Sequence, residues 1–305
     1  MRDTGIVVVT HNSAGFLGPC LDQALAACAS VVVVDNASTD STLDEARRRP
    51  VEVVVNLHNR GFAAAANQGV RSLDRDFIVL INPDAILETG LDPLRRAFDD
   101  PRVAGATGQL VDPARVPQTG FNFRRLPTPA ALAFEALLIN RLWRRNPVNW
   151  HYRCLDLNPE RSGPVEQPAA ALLMFRRAAW ERIGGFDESF FPVWFEDVDF
   201  CKRLRDHGYL MMYVPAVVAK HTGGHSVHNL SLESGRIYWY GNLLRYASKH
   251  FRPGAARAVG LAVVVGSLVR MLIGVFGEWS LKPVAVYGTV LRLAGRFVWL
   301  GHSAQ

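Results

Sequence analysis

The stretch VLINPDAIL (residues 79–87) is an apolar run interrupted by Asn82, Pro83 and Asp84. The residues before the interruption favour a buried β-strand. Pro83 has no N–H group for a sheet ladder, so it ends the strand and directs the chain into a turn. Asp84 therefore stands at the end of a buried strand, where its carboxylate needs a partner.

Outward from this stretch, apolar β-branched runs alternate with helical patterns. The runs are GIVVVT (5–10), SVVVVDNAS (30–38), VEVVVN (51–56) and DFIVLIN (76–82). Nearly continuous apolar strands separated by helices are typical of a parallel sheet buried on both faces. The sequence therefore predicts an α/β fold with a mostly parallel central sheet and flanking helices.

Polar residues close these predicted strands. In open α/β sheets, ligands bind beyond the carboxyl ends of the strands. We therefore expect a binding site at this edge, formed by Thr10, His11, Asn12, Asp35, Asn36, Asn82 and Asp84.

Composition narrows the class of protein. The 305 residues are 49% hydrophobic and 20% charged, which indicates a globular chain with a sizeable core. The net charge of +6 comes from an excess of arginine and favours anions such as phosphates or acidic lipid headgroups. The sequence shows no basic helix with interleaved aromatic residues, so it does not favour a nucleic-acid-binding protein. The four cysteines lack metal or disulfide spacing, and no secretory signal opens the chain, so we expect buried thiols in a reducing cytosol.

Two segments of the first half suit a nucleotide diphosphate. In VVVVDNASTDST (31–42), Asp35 can accept hydrogen bonds from a nucleobase or ribose, although an ordinary Asp-Asn turn with a helix cap explains it equally well. In NLHNRGFAAAANQG (56–69), Gly61 permits close backbone approach and Arg60 can pair with a diphosphate. A tightly packed alanine-rich helix is the alternative for that segment.

Asp84 suits a hard divalent cation. Such an ion takes one or two protein carboxylates, substrate phosphates and water. His221, in KHTGGHS (220–226), follows another predicted strand and could be a metal ligand or a phosphate donor. The alternatives are a plain Asn-Pro-Asp turn for Asp84 and a structural histidine for His221.

The segment FFPVWFEDVDF (190–200) concentrates Glu196, Asp197 and Asp199 among aromatic residues. Neighbouring carboxylates in an apolar setting raise the pKa of at least one of them, which favours a general base. An acidic first turn of a helix would look similar, but it does not require the adjacent aromatic residues.

Taken in order, the motifs resemble family 2 glycosyltransferases, which have a GT-A fold. The resemblance covers about residues 4–230 and rests on VVVTHNS, VVVVDNASTDST, NRGFAAAANQG, NPDA, GGFDESFF, FEDVDFCKRLRDHGY and KHTGGHS. Within that family the chain is most similar to bacterial rhamnosyltransferases that use a dTDP-sugar. Asn82 stands where the common Asp-x-Asp pattern has its first aspartate, which implies weaker metal affinity.

The resemblance implies an inverting transfer from a dTDP- or UDP-sugar to a glycan or polyprenyl-linked acceptor in cell-envelope polysaccharide synthesis. The implied donor-binding residues are Thr10, His11, Asn12, Asp35, Asn36, Asn59, Arg60, Gly61 and Asn82. Asp84 and His221 would hold Mg²⁺ or Mn²⁺. Asp197 would be the catalytic base, and Glu196 would orient the acceptor.

The domain prediction divides the chain at residue 232. Residues 1–232 form the expected GT-A catalytic domain, with a nucleotide-sugar half (1–111) and an acceptor and catalytic half (112–232). Residues 233–305 form a helical extension.

AVGLAVVVGSLVRMLIGVFG (258–277) in that extension is about one membrane span long, but Arg270 interrupts it. A central arginine costs about 2.5–3.5 kcal/mol on insertion. We expect helices lying in the interface on the inner face of the cytoplasmic membrane; helices packed on protein are the alternative.

Two other functions fit parts of the pattern. A nucleotidyltransferase would carry a glycine-rich phosphate loop with a lysine after the first strand, whereas THNSAGF (10–16) lacks one. A catalytically inactive sugar-nucleotide-binding or scaffold subunit would not need Asp84, Asp197 and His221 together. The sugar, the acceptor and formation of a homo-oligomer are left open.

Overall fold

The computed structural model of the chain describes residues 3–224, 231–278 and 281–300. The chain forms two compact units. The first comprises Met1–Leu126 and Leu157–Asn229, and the second Pro127–Asp156 and Leu230–Gln305. Residues 127–156, from the predicted acceptor and catalytic half, thus belong to the same unit as the C-terminal helices. The catalytic and acceptor roles assigned to the predicted domains stay predictions, because compactness does not test them.

Strands occur only in the first unit among the described residues. In chain order they are β1 (Thr4–Thr10), β2 (Val31–Asp35), β3 (Glu52–Val55), β4 (Phe77–Ile81), β5 (Ala85–Leu87), β6 (Val103–Val111), β7 (Phe123–Arg124), β8 (Gly163–Val165), β9 (Gln167–Pro168), β10 (Leu172–Arg176) and β11 (Leu210–His221). The four predicted strands of the first half are confirmed as β1 to β4.

Helices are found in both units. In chain order they are α1 (Ala14–Ala27), α2 (Thr42–Arg47), α3 (Phe62–Ser72), α4 (Asp92–Arg96), α5 (Pro129–Ala136), α6 (Ile139–Leu142), α7 (Pro147–Tyr152), α8 (Arg177–Arg182), α9 (Glu196–Asp206), α10 (Leu232–His250), α11 (Pro253–Glu278) and α12 (Lys282–Leu300). A 3-10 turn at Ala97–Asp99 follows α4.

The main sheet has the strand order β3-β2-β1-β4-β10-β6-β11-β5, with β8 paired to β11. Strands β1 to β4 pair in parallel, as do β6 and β11. Strand β10 runs antiparallel to both of its neighbours, and β7 and β9 form a separate small ribbon. The predicted α/β fold, with a mostly parallel sheet and flanking helices, is confirmed.

Small residues let α3 lie close to the sheet. Gly69 is the tightest point, because a Cβ atom there would lie 2.5 Å from Val7 and 3.0 Å from Val34. Ala65 and Ala66 are fully buried nearby on the same helix. The alanine-rich segment is therefore a packing helix, as its alternative interpretation held, and its N-terminus is brought to the carboxyl edge of the sheet.

In the second unit, Arg270 ties α11 to the end of α5. Its guanidinium donates to the carbonyls of Ala136 and of Glu135, the latter at 3.0 Å. These carbonyls belong to the last turn of a helix, where intrahelical partners are missing. A Cβ atom at Gly266 would clash with the Ala136 carbonyl, so glycine is required for this approach. The guanidinium of Arg270 thus finds hydrogen-bond acceptors within the protein.

Candidate active site

The sheet register brings the predicted residues to one edge. Thr10 at the end of β1 pairs with Asp35 at the end of β2. Ile81, at the end of β4, pairs with Leu172, at the start of antiparallel β10. His221, at the end of β11, pairs with Ala85. The carboxyl edge therefore collects the ends of β1, β2, β4 and β11 together with the segment that enters β10.

The Asp35 carboxylate is buried and mostly used within the protein. It accepts hydrogen bonds from the hydroxyls of Thr10 (3.2 Å) and Ser38 (2.5 Å) and from the Ser38 N–H (3.0 Å). A carboxylate offers about four acceptor positions, so these three bonds leave one unused. Asp35 thus orders the loop after β2, and its contact with a donor stays a prediction.

His11 and Asn12 cross-link the loops after β1 and β2. The Asn12 side-chain oxygen accepts from the Thr39 N–H at 2.7 Å, and its backbone has φ of 52°. The imidazole Nδ1 of His11 lies 2.9 Å from the Asn36 carbonyl oxygen. Both side chains are half-buried, which leaves each a face for a ligand.

The side chain of Asn36 forms hydrogen bonds with several residues of the next loop, 56–61. Its amide nitrogen donates to Asn59 Oδ1 at 2.9 Å and to the Gly61 carbonyl at 3.2 Å. Its oxygen accepts from the Arg60 N–H at 2.9 Å and from Asn56 at 3.2 Å. The side chain is buried, so its observed role is to position residues 56–61. Its predicted contact with the donor stays a prediction.

Gly61 begins α3 in a conformation that suits glycine. Its φ is +81°, and a Cβ atom would lie 2.9 Å from the Phe191 ring. The Phe62 N–H donates to the Pro192 carbonyl at 2.7 Å, so the first N–H of the helix is occupied. The guanidinium of Arg60 is exposed and remains the group of this loop that can reach an anion.

The NPDA segment is a tight turn. The Asn82 carbonyl accepts from the Ala85 N–H at 3.0 Å, with Pro83 at the second position, where its fixed φ is favoured. The Cys20 thiol also donates to that carbonyl, at 3.5 Å. Burial raises the pKa of Cys20 to about 12, so the thiol is protonated and can donate this hydrogen bond.

The turn and the loop after β11 bring Asp84 and His221 together. Asp84 Oδ2 accepts from the Gly223 N–H at 3.0 Å, whereas Oδ1 is buried with no hydrogen-bond partner among the described residues. His221 Nε2 lies 3.6 Å from that oxygen. His225, the second histidine of KHTGGHS, lies outside the described residues.

Gln118 fixes the tautomer of His221. Its amide nitrogen donates to the His221 carbonyl at 2.8 Å, which leaves Oε1 to accept from imidazole Nδ1 at 2.9 Å. With its proton on Nδ1, the ring has a lone pair on Nε2, the form that ligates metals. Burial lowers the pKa of His221, partly opposed by Asp84, and favours that neutral form.

These groups fit a divalent cation held by one carboxylate and one imidazole. The unpartnered Oδ1 of Asp84 faces the Nε2 lone pair of His221, an arrangement that a cation would satisfy. Residues 3–224, 231–278 and 281–300 contain no group of three or more His, Cys, Asp or Glu placed to hold a metal. Phosphate oxygens and water would complete the shell.

The three acids of FEDVDF have different environments. Asp199 is fully buried, and Arg203 donates to it at 2.7 Å, so it is a structural ion pair. Glu196 is buried, and its Oε2 has no partner among the described residues. Asp197 is half-buried, and its Oδ2 accepts from Gln167 and from the Ala170 N–H, both at 3.3 Å.

Burial raises the pKa of both Glu196 and Asp197. For Glu196 the neighbouring Asp197 charge adds to the rise; for Asp197 backbone N–H groups and Arg124 oppose it. Of the three acids, Asp197 alone combines partial exposure with a raised pKa, as a general base requires. The backbone before it is left-handed, with φ of 80° at Trp194 and 73° at Phe195.

Sequence reasoning missed Gln118 and Gln167, which orient His221 and Asp197. Gln118 lies in the loop between β6 and β7, and Gln167 lies in the short strand β9; they are 103 and 30 residues from their partners. A polar side chain in either place carries no local sign of its partner.

The sequence matches two family profiles. Residues 5–154 match Glycosyl transferase family 2, and residues 158–228 match the N-terminal domain of galactosyltransferase. N-acetylglucosaminyl-diphospho-decaprenol L-rhamnosyltransferase of Mycobacterium tuberculosis is 31% identical over 245 residues, which cover 72% of this chain and 76% of that protein. Rhamnosyltransferase WbbL of Escherichia coli K12 is 27% identical, over 60% of this chain and 66% of that protein.

Solved structures show the same fold at low identity. Mannosyltransferase PcManGT from Pyrobaculum calidifontis, in complex with GDP-Man and Mn²⁺, has a TM-score of 0.54 and 18% identity, covering 99% of this chain and 89% of that one. GalNAc-T7 with UDP, GalNAc and Mn²⁺ has a TM-score of 0.58 and 15% identity, covering 82% of this chain and 50% of that one. These likenesses establish the GT-A fold. The chain belongs to glycosyltransferase family 2 and is a rhamnosyltransferase-like transferase.

Proposed function

We propose that this transferase moves L-rhamnose from dTDP-rhamnose to a lipid-linked glycan acceptor, with inversion at the anomeric carbon. Two of its relatives are named rhamnosyltransferases, one of them acting on a diphospho-decaprenol. The observation that carries the proposal is the carboxyl edge of the sheet. The buried Asp35 and the Asp84–His221 pair lie there. Asp197 is tied to this edge by the N–H of Ala170, whose neighbour Ala171 accepts from the Asn82 N–H.

The donor would lie over the ends of β1 and β2. The remaining acceptor position of Asp35 and the partly exposed side chains of His11 and Asn12 suit a nucleoside. Thr10 and Asn36 hold these groups in place, Thr10 by its bond to Asp35 and Asn36 by its bonds to residues 56–61. Arg60, whose N–H is anchored by Asn36, would extend its guanidinium to the diphosphate.

A single displacement at the anomeric carbon needs one general base. Asp197 takes the proton of the acceptor hydroxyl, whose oxygen forms the new bond to the anomeric carbon. The bond from that carbon to the diphosphate oxygen breaks, and its electron pair leaves with dTDP. Gln167 and the Ala170 N–H hold the Asp197 carboxylate in position for this transfer.

Asp84 and His221 would hold Mg²⁺ or Mn²⁺ against the diphosphate. The cation supplies charge stabilisation for the leaving group. Two structural neighbours contain Mn²⁺. Because Asn82 contributes no charge, the protein supplies only one carboxylate, so we expect tight binding only when the nucleotide is present.

The acceptor would be reached at the inner face of the cytoplasmic membrane. Among the described residues one helix segment, Pro253–Val275 of α11, is long and apolar enough to cross a membrane. Six large aliphatic side chains are exposed along it: Leu261, Val265, Leu268, Val269, Leu272 and Ile273. Since Arg270 is bonded to α5, a helix lying in the interface satisfies these groups better than a spanning one.

The proposal is tested with the purified full chain, Mn²⁺ and a short-chain polyprenyl-diphosphate glycan acceptor. We expect product only with dTDP-rhamnose among dTDP-, UDP- and GDP-sugars, and NMR should show the anomeric configuration opposite to that of the donor. Transfer from a different sugar nucleotide would overturn the donor assignment, and retention of configuration would overturn single displacement.

A further inference from the structure

The second unit carries an exposed apolar tip between α6 and α7. In the segment RLWRR (141–145), Leu142 is 86% exposed and Trp143 is 58% exposed. Trp150, at the far end of α7, is 40% exposed. Exposing large apolar side chains costs free energy, so the adjacent exposed Leu142 and Trp143 favour a partner surface at this turn.

The tip is rigid, because buried asparagines hold its backbone. Asn146 is fully buried, donates to the Trp143 carbonyl at 2.7 Å and to Asn140 at 2.9 Å, and caps α7 by accepting from the Asn149 N–H. Asn149 donates to the Arg144 carbonyl at 2.7 Å. Polar groups thus fix the turn from inside, which leaves the apolar side chains outside.

The charged side chains of the segment 141–145 are all arginines. Arg141, Arg144 and Arg145 are exposed, and none of their guanidinium groups makes an ion pair with a residue that the structure describes. Within the segment 141–145 there is no acidic residue. Leucine and tryptophan between arginines match a bilayer interface, where aromatic rings sit at headgroup level and arginines meet anionic lipids.

We propose that the 141–145 tip inserts Leu142 and Trp143 into the headgroup region of an anionic bilayer. It is an anchor separate from α11, and it lies in the predicted acceptor and catalytic half of the chain (112–232). The inference extends the proposed membrane-linked acceptor, because an anchored enzyme meets a lipid-linked sugar by diffusion in two dimensions.

Vesicle partition of the full chain tests the anchor. The double variant Leu142→Ser and Trp143→Ser should partition into phosphatidylglycerol-containing vesicles about tenfold or more weakly than the unaltered chain. Leu57→Ser is the matched control, since Leu57 is 97% exposed in the first unit, and it should partition normally. Replacing the three tip arginines by glutamine should weaken binding about tenfold or more on anionic vesicles only.

A labelled cysteine reports insertion directly. The four native cysteines are buried, so Leu142→Cys can be labelled selectively with an environment-sensitive dye. Its emission should shift to the blue with anionic vesicles and be quenched by brominated lipid, whereas a label at Leu57→Cys should not respond. Unchanged partition of the double variant, an unresponsive label, or equal binding to zwitterionic vesicles would overturn the proposal.

Two further measurements separate the alternatives. If the double variant instead changes the oligomeric state in light scattering while its partition is normal, the tip is a protein contact and the proposal is wrong. Transfer to a water-soluble acceptor should be normal in the double variant. If the unaltered chain transfers no sugar to this acceptor, the proposed function is refuted, whereas the vesicle result is unaffected.

Discussion

His221 Nε2 lies 3.6 Å from Asp84 Oδ1, across a gap that no hydrogen bond closes. The hydrogen bond to Gln118 places the imidazole proton on the opposite nitrogen, so two lone pairs face one another. Such an arrangement is electrostatically unfavourable unless a cation lies between the two atoms. We therefore propose that these two residues, 137 positions apart in sequence, act as one site for a cation and a diphosphate.

Asp84→Asn should abolish the dependence of Mn²⁺ binding on nucleotide. The substitution keeps the shape of the turn but removes the one carboxylate charge. Titration calorimetry should show weak Mn²⁺ binding to the free enzyme, much tighter binding with dTDP, and no such difference in the variant. Asp74→Asn, which removes the charge of an exposed aspartate outside the site, is the control, and it should keep the coupling. Equal dTDP affinity in EDTA and in Mn²⁺ would show that Asp84 is a turn residue only.

Gln118→Leu should weaken Mn²⁺ binding about 10- to 100-fold in the presence of dTDP. The variant removes the acceptor that holds the proton on His221 Nδ1, and Gln118→Glu, which keeps an acceptor, should retain most of the affinity. Electron paramagnetic resonance of Mn²⁺ measures the affinity. In Gln118→Leu, the nitrogen chemical shifts of the His221 ring should report a change of tautomer. Unchanged shifts and affinity would remove Gln118 from the site.

Glu196→Gln should stabilise the protein at neutral pH and above. Burial raises the pKa of Glu196 well above 4.5, so the folded state keeps a proton that the unfolded state has released. The stabilisation that comes from this bound proton is fully present below the pKa of Glu196 in the unfolded state. It is lost as the pH rises through the pKa of Glu196 in the folded state. The thermal unfolding midpoints of the variant and of the unaltered chain should therefore agree near pH 4. Toward pH 8 the midpoint of the variant should become the higher of the two. The exposed Glu52→Gln control should show no such separation.

Gly61→Ala should destabilise the chain by about 1–3 kcal/mol, because alanine is strained at the left-handed φ. Its Cβ atom would also press on the Phe191 ring, which disturbs the contact between the Arg60 loop and the segment before Asp197. Denaturant unfolding measures the loss, and dTDP affinity should fall with it. Gly15→Ala, in α1, meets nothing within 4 Å and should be neutral or stabilising. Equal stability of both variants would contradict the packing account.

The sheet edge could be predicted from the sequence because its signals are local. Strand period, β-branching and the polar residues at strand ends are visible within a few positions, and strands β1 to β4 lie where the pattern places them. The turn at Pro83 follows from the chemistry of proline alone. The separate role of Asp199 could also have been read from Arg203, four residues later on the same helix face.

The remaining features depend on contacts between distant positions. Gln118 reaches His221, and Arg270 reaches Ala136, 134 positions away. The apolar run around Arg270 gives no sign that this arginine closes the end of another helix. Likewise, Glu196 and Asp197 are adjacent in sequence, and only the packing around them leaves one buried and the other half-exposed.

Single-turnover transfer by Asp197→Asn, compared with the unaltered chain, tests the central claim most directly. Asparagine keeps the size of the side chain but cannot accept the hydroxyl proton, so the rate should fall about 10²- to 10⁴-fold. Affinity for dTDP-rhamnose and Mn²⁺ should stay the same, because the lost interaction is made in the transition state. A rate within a few-fold of the unaltered chain, with donor affinity intact, would contradict the assignment of Asp197 as the base.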